Sequence, residues 1–163
     1  MYPDFGVVNE ATGLATSLID RWVAGRRARL NAKALVRLLL LEARRNLAIL
    51  DVAIRIEDPD SATQLWEAAT LLQVEVIETI LGQGEISARA FREVEKLRIS
   101  DPEKGQDGAG FLMSLYVRVI SLRALAHLNS KSPLRTVKIE LRLKHMRDDV
   151  LDLVKTLNKS AEK

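Results

Sequence analysis

The sequence has no cysteine and little glycine, proline or aromatic residue: 8 Gly, 4 Pro and 4% aromatic residues in 163 positions. Without cysteine, the fold has no disulfides or thiolate metal ligands, and no thiol is present to act as a nucleophile. Hydrophobic residues at 47% and charged residues at 29% are typical of a globular protein. We therefore expect one domain spanning residues 1–163, in the reducing environment of the cytoplasm.

A long uncharged hydrophobic run is also lacking. The most apolar stretch, residues 35–56, is interrupted by charged side chains at six positions: Arg37, Glu42, Arg44, Arg45, Asp51 and Arg55. A membrane-spanning helix needs roughly 18 consecutive apolar residues with few or no charges. The first residues, MYPDFGVVNEATG, lack the basic region and apolar stretch of a secretory signal. We expect a soluble protein that does not contact a membrane.

Helical periodicity predicts an all-α fold, an antiparallel bundle of five to six helices. The predicted helices cover residues 10–27, 31–56, 61–80, a short segment from 87, residues 111–128 and residues 133–157. The residues expected to separate them are Gly25, Asp58-Pro59, Gly82, Gly84 and Ser132-Pro133, together with a flexible loop over residues 100–110. Residues 158–163 are expected to fray.

Residues 136–144, TVKIELRLK, alternate apolar and charged residues, which by itself is typical of a β-strand. A strand would need partners, and an isolated strand pair is marginal in water. The apolar residues from this point on instead step by four and three, as in the seam of a packed helix pair. They are Ile139, Leu143, Met146, Val150, Leu153 and Leu157. A helix is the favoured prediction.

The helix predicted over residues 31–56 is apolar around most of its circumference, and Glu42 lies opposite its narrow charged stripe. An unpaired carboxylate inside a protein is costly. We therefore predict an internal ion pair of Glu42 with Arg118 or Arg123; the alternative is that Glu42 extends to solvent. So much apolar surface predicts self-association, most simply as a symmetric homodimer.

Four basic residues are expected on one face of the last helix, because they step by four, three and four: Lys131, Arg135, Lys138 and Arg142. Such a row would neutralise phosphates along a nucleic-acid backbone, aided by the basic cluster over residues 26–29. The alternative is that these charges pair within the protein, since residues 58–86 carry six acids and no base. Few aromatic residues are present to stack on bases.

Catalytic patterns are incomplete. Enzymatic alternatives are magnesium-dependent nucleotide hydrolysis by Glu75 and Glu78, or ribonuclease activity involving Arg123 and His127, and each lacks part of its motif. We predict no catalytic residue, metal site or cofactor. The favoured function is a helical interaction and assembly module that self-associates through apolar helix faces or binds another protein; nucleic-acid binding is the alternative.

Overall fold

A computed structural model describes residues 5–55, 61–97, 99, 107–134 and 136–161, with α1 side chains described from Arg29 onward. These residues form six α-helices, with no strand among them. The helices are α1 (Phe5–Ile54), α2 (Ser61–Leu71), α3 (Glu75–Leu81), α4 (Glu85–Glu95), α5 (Gly108–Lys131) and α6 (Ile139–Ala161). The prediction of an all-α helical bundle is confirmed.

Helix α1 is continuous for 50 residues, which corresponds to a length of about 75 Å. The break predicted near Gly25 is therefore wrong. A single glycine inside a helix costs only about 1 kcal/mol relative to alanine. The arginines that follow Gly25 are good helix formers, so the local sequence does not force the helix to end.

The single helix predicted over residues 61–80 is instead two helices, α2 and α3, separated by three non-helical residues, 72–74. No glycine or proline marks this break. Two side chains of α1, Glu42 and Asn46, bind backbone groups of Gln73, Val76 and Ile77. Tertiary hydrogen bonds thus take the place of the local ones that a continuous helix would make.

Helix α4 begins directly after Gly84, whose φ of 121° is a left-handed conformation that glycine adopts easily. Ser87, at which this helix was predicted to begin, lies inside it and is buried. Gly84 acts as the predicted breaker, and the helix starts two residues earlier than the serine indicated.

Helix α5 begins at Gly108, three residues before the predicted start. The Asp107 side chain accepts a hydrogen bond from the Gly110 amide at 2.7 Å and so caps the helix. A Cβ on Gly108 would lie 2.0 Å from the Val94 carbonyl oxygen, so only glycine fits where α5 meets the end of α4. Residues 108–110 of the predicted loop are thus helical, while residues 100–106 lie outside the described residues.

The C-terminal helix α6 begins at Ile139, six residues later than predicted, and continues to Ala161. Ser132 and Pro133 lie in the connection, where the Asn129 side chain accepts a hydrogen bond from the Leu134 amide at 2.8 Å. Residues 139–144 are helical, as predicted. Residues 158–161, expected to fray, continue the helix.

The predicted seam of α6 is confirmed, because all six of its apolar side chains are buried. Helices α1 and α6 run antiparallel: Arg44 donates to Asn158 at 2.7 Å, whereas Asp51, further along α1, accepts from Arg147, which lies earlier in α6, at 2.6 Å. Helix α1 packs mainly on α6 and α4, while α5 packs mainly on α2. Helices α1 and α5 do not contact each other in the described residues, so each keeps an outward face.

Candidate functional site

The most buried polar site joins α1 to the start of α3. The Glu42 carboxylate accepts hydrogen bonds from the amides of Val76 at 2.8 Å and Ile77 at 3.3 Å. One turn along α1, the Asn46 side chain both donates to the Gln73 carbonyl and accepts from the Gln73 amide, each at 2.8 Å. These bonds satisfy backbone groups that the break between α2 and α3 leaves without helical partners.

Burial raises the pKa of Glu42, and the hydrogen bonds from Val76 and Ile77 offset part of that rise because they stabilise the carboxylate. The site therefore holds a carboxyl group that is easier to protonate than an exposed glutamate. Its oxygens point at backbone amides of the fold, so the site acts structurally.

The predicted ion pair of Glu42 with Arg118 or Arg123 is wrong. Glu42 is buried as predicted, but amides at the start of α3 are its partners. Arg118 of α5 instead pairs with Asp149 of α6. Arg123 is exposed. The energetic reason is that helix-terminal amides satisfy a buried carboxylate without the desolvation of a second charge.

Acidic residues of α3 and α6, including Glu78 of the predicted magnesium pair, have partners within the fold. Asp149 pairs with Arg118, and Asp152 lies 3.8 Å from Lys155. Glu78 accepts a hydrogen bond from the Tyr116 hydroxyl at 3.2 Å. Within the ranges that the structure describes, no group of three or more His, Asp or Glu residues has the arrangement of a metal site.

The four basic residues predicted to share a face of the last helix do not lie on one helix. Lys131 is the last residue of α5, Lys138 precedes α6, and Arg142 alone is within α6, where it is exposed. Arg135 lies outside the described residues. The late start of α6 breaks the expected row, because the spacing of four and three aligns side chains only within a continuous helix.

An apolar row on α5 faces away from the bundle. We call it the α5 outer face; its members are Met113, Val117, Ile120, Ala124 and Leu128. Its four large side chains are from 37% to 54% exposed. They repeat at intervals of about three and four residues, which is the spacing of an interhelical seam. The chain therefore carries a second seam on the side of α5 opposite to its buried face.

Helix α1 also carries exposed apolar residues opposite its buried face. We call them the α1 outer face; they are Leu30, Leu38, Leu41 and Val52. Basic residues of the same helix border this face, among them the exposed Lys33, Arg37 and Arg44. A partner on the α1 outer face would therefore meet a positively charged margin.

A basic cleft of about 500 Å³ lies between α1 and α4. We call it the α1–α4 cleft; its lining residues are Arg29, Ala32, Lys33, Arg89, Arg92, Glu93 and Lys96. Arg29 belongs to the basic cluster predicted over residues 26–29, whereas the basic residues of α4 were not among the predicted binding residues. Arg89, Arg92 and Lys96 are spaced by three and four residues, which places them on one side of a helix. Glu93 and Glu95 lie between them, so residues 85–96 are not basic overall.

Helix α5 is also, among the described residues, the one helix long and apolar enough to cross a membrane, and 33% of its apolar window is buried in the bundle. A single such helix is weak evidence for a membrane span, because core helices of soluble proteins have the same length and composition.

Comparison with known proteins adds no relative. No protein-family model matches the chain, and neither a curated protein nor a solved structure matches it.

Proposed function

We propose that this protein is a non-enzymatic assembly module that self-associates through the α5 outer face. The observation that carries the proposal is the exposed row of apolar side chains on α5, which repeats at seam spacing. Exposed apolar rows of this kind are typical of surfaces that bind another protein.

The positions in the row suit an antiparallel pair of α5 helices related by a twofold axis. In that arrangement Met113 would face Leu128 of the partner subunit, and Val117 would face the small Ala124 of the partner subunit. Ile120 would lie next to the axis. A large residue opposite a small one lets two helices approach closely, as interdigitated packing requires.

Charge favours α5 over α1 as the self-association surface. The members of the α5 outer face are all uncharged; of the cations beside it, Arg118 is paired with Asp149, while Arg123 and Lys131 are exposed and lie 8 residues apart. Two copies of the α1 outer face would instead bring together two margins that each carry Lys33, Arg37 and Arg44. Like charges brought together at an interface disfavour association.

The exposed area sets the strength of the expected dimer. Burying a half-exposed aliphatic side chain contributes about 1 kcal/mol, so eight such side chains in the two copies contribute about 8 kcal/mol. Association also costs several kcal/mol of translational and rotational entropy. Subtracting about 4 kcal/mol of that cost leaves about 4 kcal/mol, so the dissociation constant is expected to be roughly millimolar.

Sedimentation equilibrium of three purified proteins tests the proposal. The wild-type mass should rise with concentration toward a dimer, and Ile120→Glu should remain a monomer because two carboxylates would meet near the twofold axis. The matched control is Leu38→Glu, which places the same charge on the α1 outer face and should behave as the wild type. Thermal melts would establish that the variants are folded.

If Ile120→Glu sediments as the wild type does, the α5 outer face is not the self-association surface. If Leu38→Glu alone becomes monomeric, the α1 outer face holds that role and the assignment to α5 is wrong.

A further inference from the structure

We infer that the α1–α4 cleft binds the phosphate backbone of a nucleic acid. Five cationic side chains and one carboxylate line this cleft. It is a different surface from the row that the sequence indicated around α6, and it also lies apart from the α5 outer face.

The positive charge of the cleft is only partly balanced. Arg89 pairs with Glu85 at 2.7 Å and Lys96 pairs with Glu93 at 3.0 Å, so among the described residues two carboxylates pair with two of the five cations. Both pairs are between neighbours on α4 with largely exposed acidic partners, and exposed pairs of this kind contribute little stability. Phosphate oxygens would therefore compete for these cations.

The other three cations of the cleft have no salt bridge with a described residue. Within the described ranges, no carboxylate lies within 4.0 Å of Arg29, Lys33 or Arg92. Arg92 donates a hydrogen bond from Nε to the Ala88 carbonyl of its own helix, at 3.2 Å. These side chains are exposed and keep donors for a ligand. Guanidinium groups bind phosphate oxygens through paired hydrogen bonds.

The arrangement favours a polymer of phosphates over one small anion. Arg89, Arg92 and Lys96 step by three and four along α4, and Arg29 and Lys33 are four apart on α1. Each step moves the charge about 5–6 Å along a helix axis, so the cations repeat along two packed helices. Repeated cations match a ligand whose charges also repeat.

The lining also indicates how a nucleic acid would be recognised. None of the described residues that line the cleft is aromatic, so these residues offer the bases no stacking surface. Ala32 is the one apolar residue among the described lining residues, and it is too small to anchor a peptide side chain. Contacts of this kind position a nucleic acid through its backbone and carry no sequence information.

Fluorescence polarisation with a labelled DNA duplex and a labelled single-stranded RNA tests this inference. Binding of either probe should weaken roughly a hundredfold between about 50 and about 200 mM salt, because three to five phosphate contacts each release counterions. The test variant combines Arg29→Ala with Arg92→Ala, one cation from each helix. The matched control combines Arg123→Ala with Arg142→Ala, which removes the same charge from exposed positions outside the cleft.

The cleft variant should bind at least about tenfold more weakly than the wild type, with a salt dependence lower by about two charges, while the control changes about twofold or less. Absence of binding by both probes at the lower salt concentration would overturn the inference. So would an equal loss in the two double variants, since only overall charge would then matter. Displacement of the probes by polyglutamate as effectively as by unlabelled nucleic acid would assign the cleft to acidic proteins instead.

Discussion

Replacing Asn46 with alanine tests how α1 holds the break between α2 and α3. The Asn46 side chain is 3% exposed and makes two hydrogen bonds of 2.8 Å with the backbone of Gln73. Alanine would leave one buried donor and one buried acceptor unpaired, at a cost of about 1–3 kcal/mol each. Partial access of water to Gln73 lowers the sum, so we expect the free energy of unfolding to fall by about 2–4 kcal/mol.

Urea denaturation followed by far-ultraviolet circular dichroism measures this loss as a lower transition midpoint with an unchanged slope. The thermal midpoint should fall by about 10 °C, since each kcal/mol corresponds to about 2–4 °C in a chain of this size. Gln73→Ala is the matched control, because it keeps the backbone groups that Asn46 binds. The reasoning is refuted if Asn46→Ala loses less than about 0.5 kcal/mol, or if Gln73→Ala is as damaging.

Three further predictions concern other sites. Gly108→Ala should lower the free energy of unfolding by at least about 2 kcal/mol, because its methyl group would meet the backbone of Val94. Gly110→Ala should cost clearly less in the same urea assay, because its methyl group would meet the side chain of Asp107, which can move. Because burial raises the pKa of Glu42, the folded protein binds this proton more tightly than the unfolded chain does. The free energy of unfolding of the wild type, relative to that of Glu42→Gln, should therefore fall as pH rises from the usual glutamate pKa through the higher folded pKa. A difference that does not change with pH would contradict this. Since the chain has no native cysteine, Met113→Cys and Leu128→Cys proteins should form disulfide-linked dimers when mixed, in preference to either variant alone; cross-linking of Met113→Cys with itself would indicate parallel α5 helices.

Features that depend on the spacing of apolar residues were predictable from the sequence. The seam of α6 from Ile139 to Leu157 is an example, because one repeating pattern both selects a helix over a strand and identifies its buried face. The burial of Glu42 was predictable for the same reason, since it lies opposite the charged stripe of its helix.

The partners of buried polar groups were not predictable, because they depend on how helices distant in sequence pack. Glu42 was expected to bind an arginine but binds amides of α3. Asn46 was missed, although a polar residue one turn from Glu42 in an apolar segment was a usable signal. The break at residues 72–74 has no local cause, so nothing in that segment alone indicates it.

The basic row predicted on the last helix is interrupted for a related reason. Lys131 and Lys138 align with Arg142 only if one helix contains all three, and α6 begins after the first two. Helix ends are set partly by capping contacts such as that of Asn129 with the Leu134 amide. The α1–α4 cleft combines cations from two helices that are distant in the sequence, so a pattern within a single segment could not reveal it.

The mass of the wild-type protein in solution tests self-association most directly. Sedimentation equilibrium over concentrations from about 10 μM to about 1 mM reaches the expected dissociation constant, at which about half of the chains are dimeric. We predict a mass that rises with concentration toward twice the 18.2 kDa of one chain. A protein that remains at 18.2 kDa over the whole range would contradict the proposal that the α5 outer face pairs with a second copy.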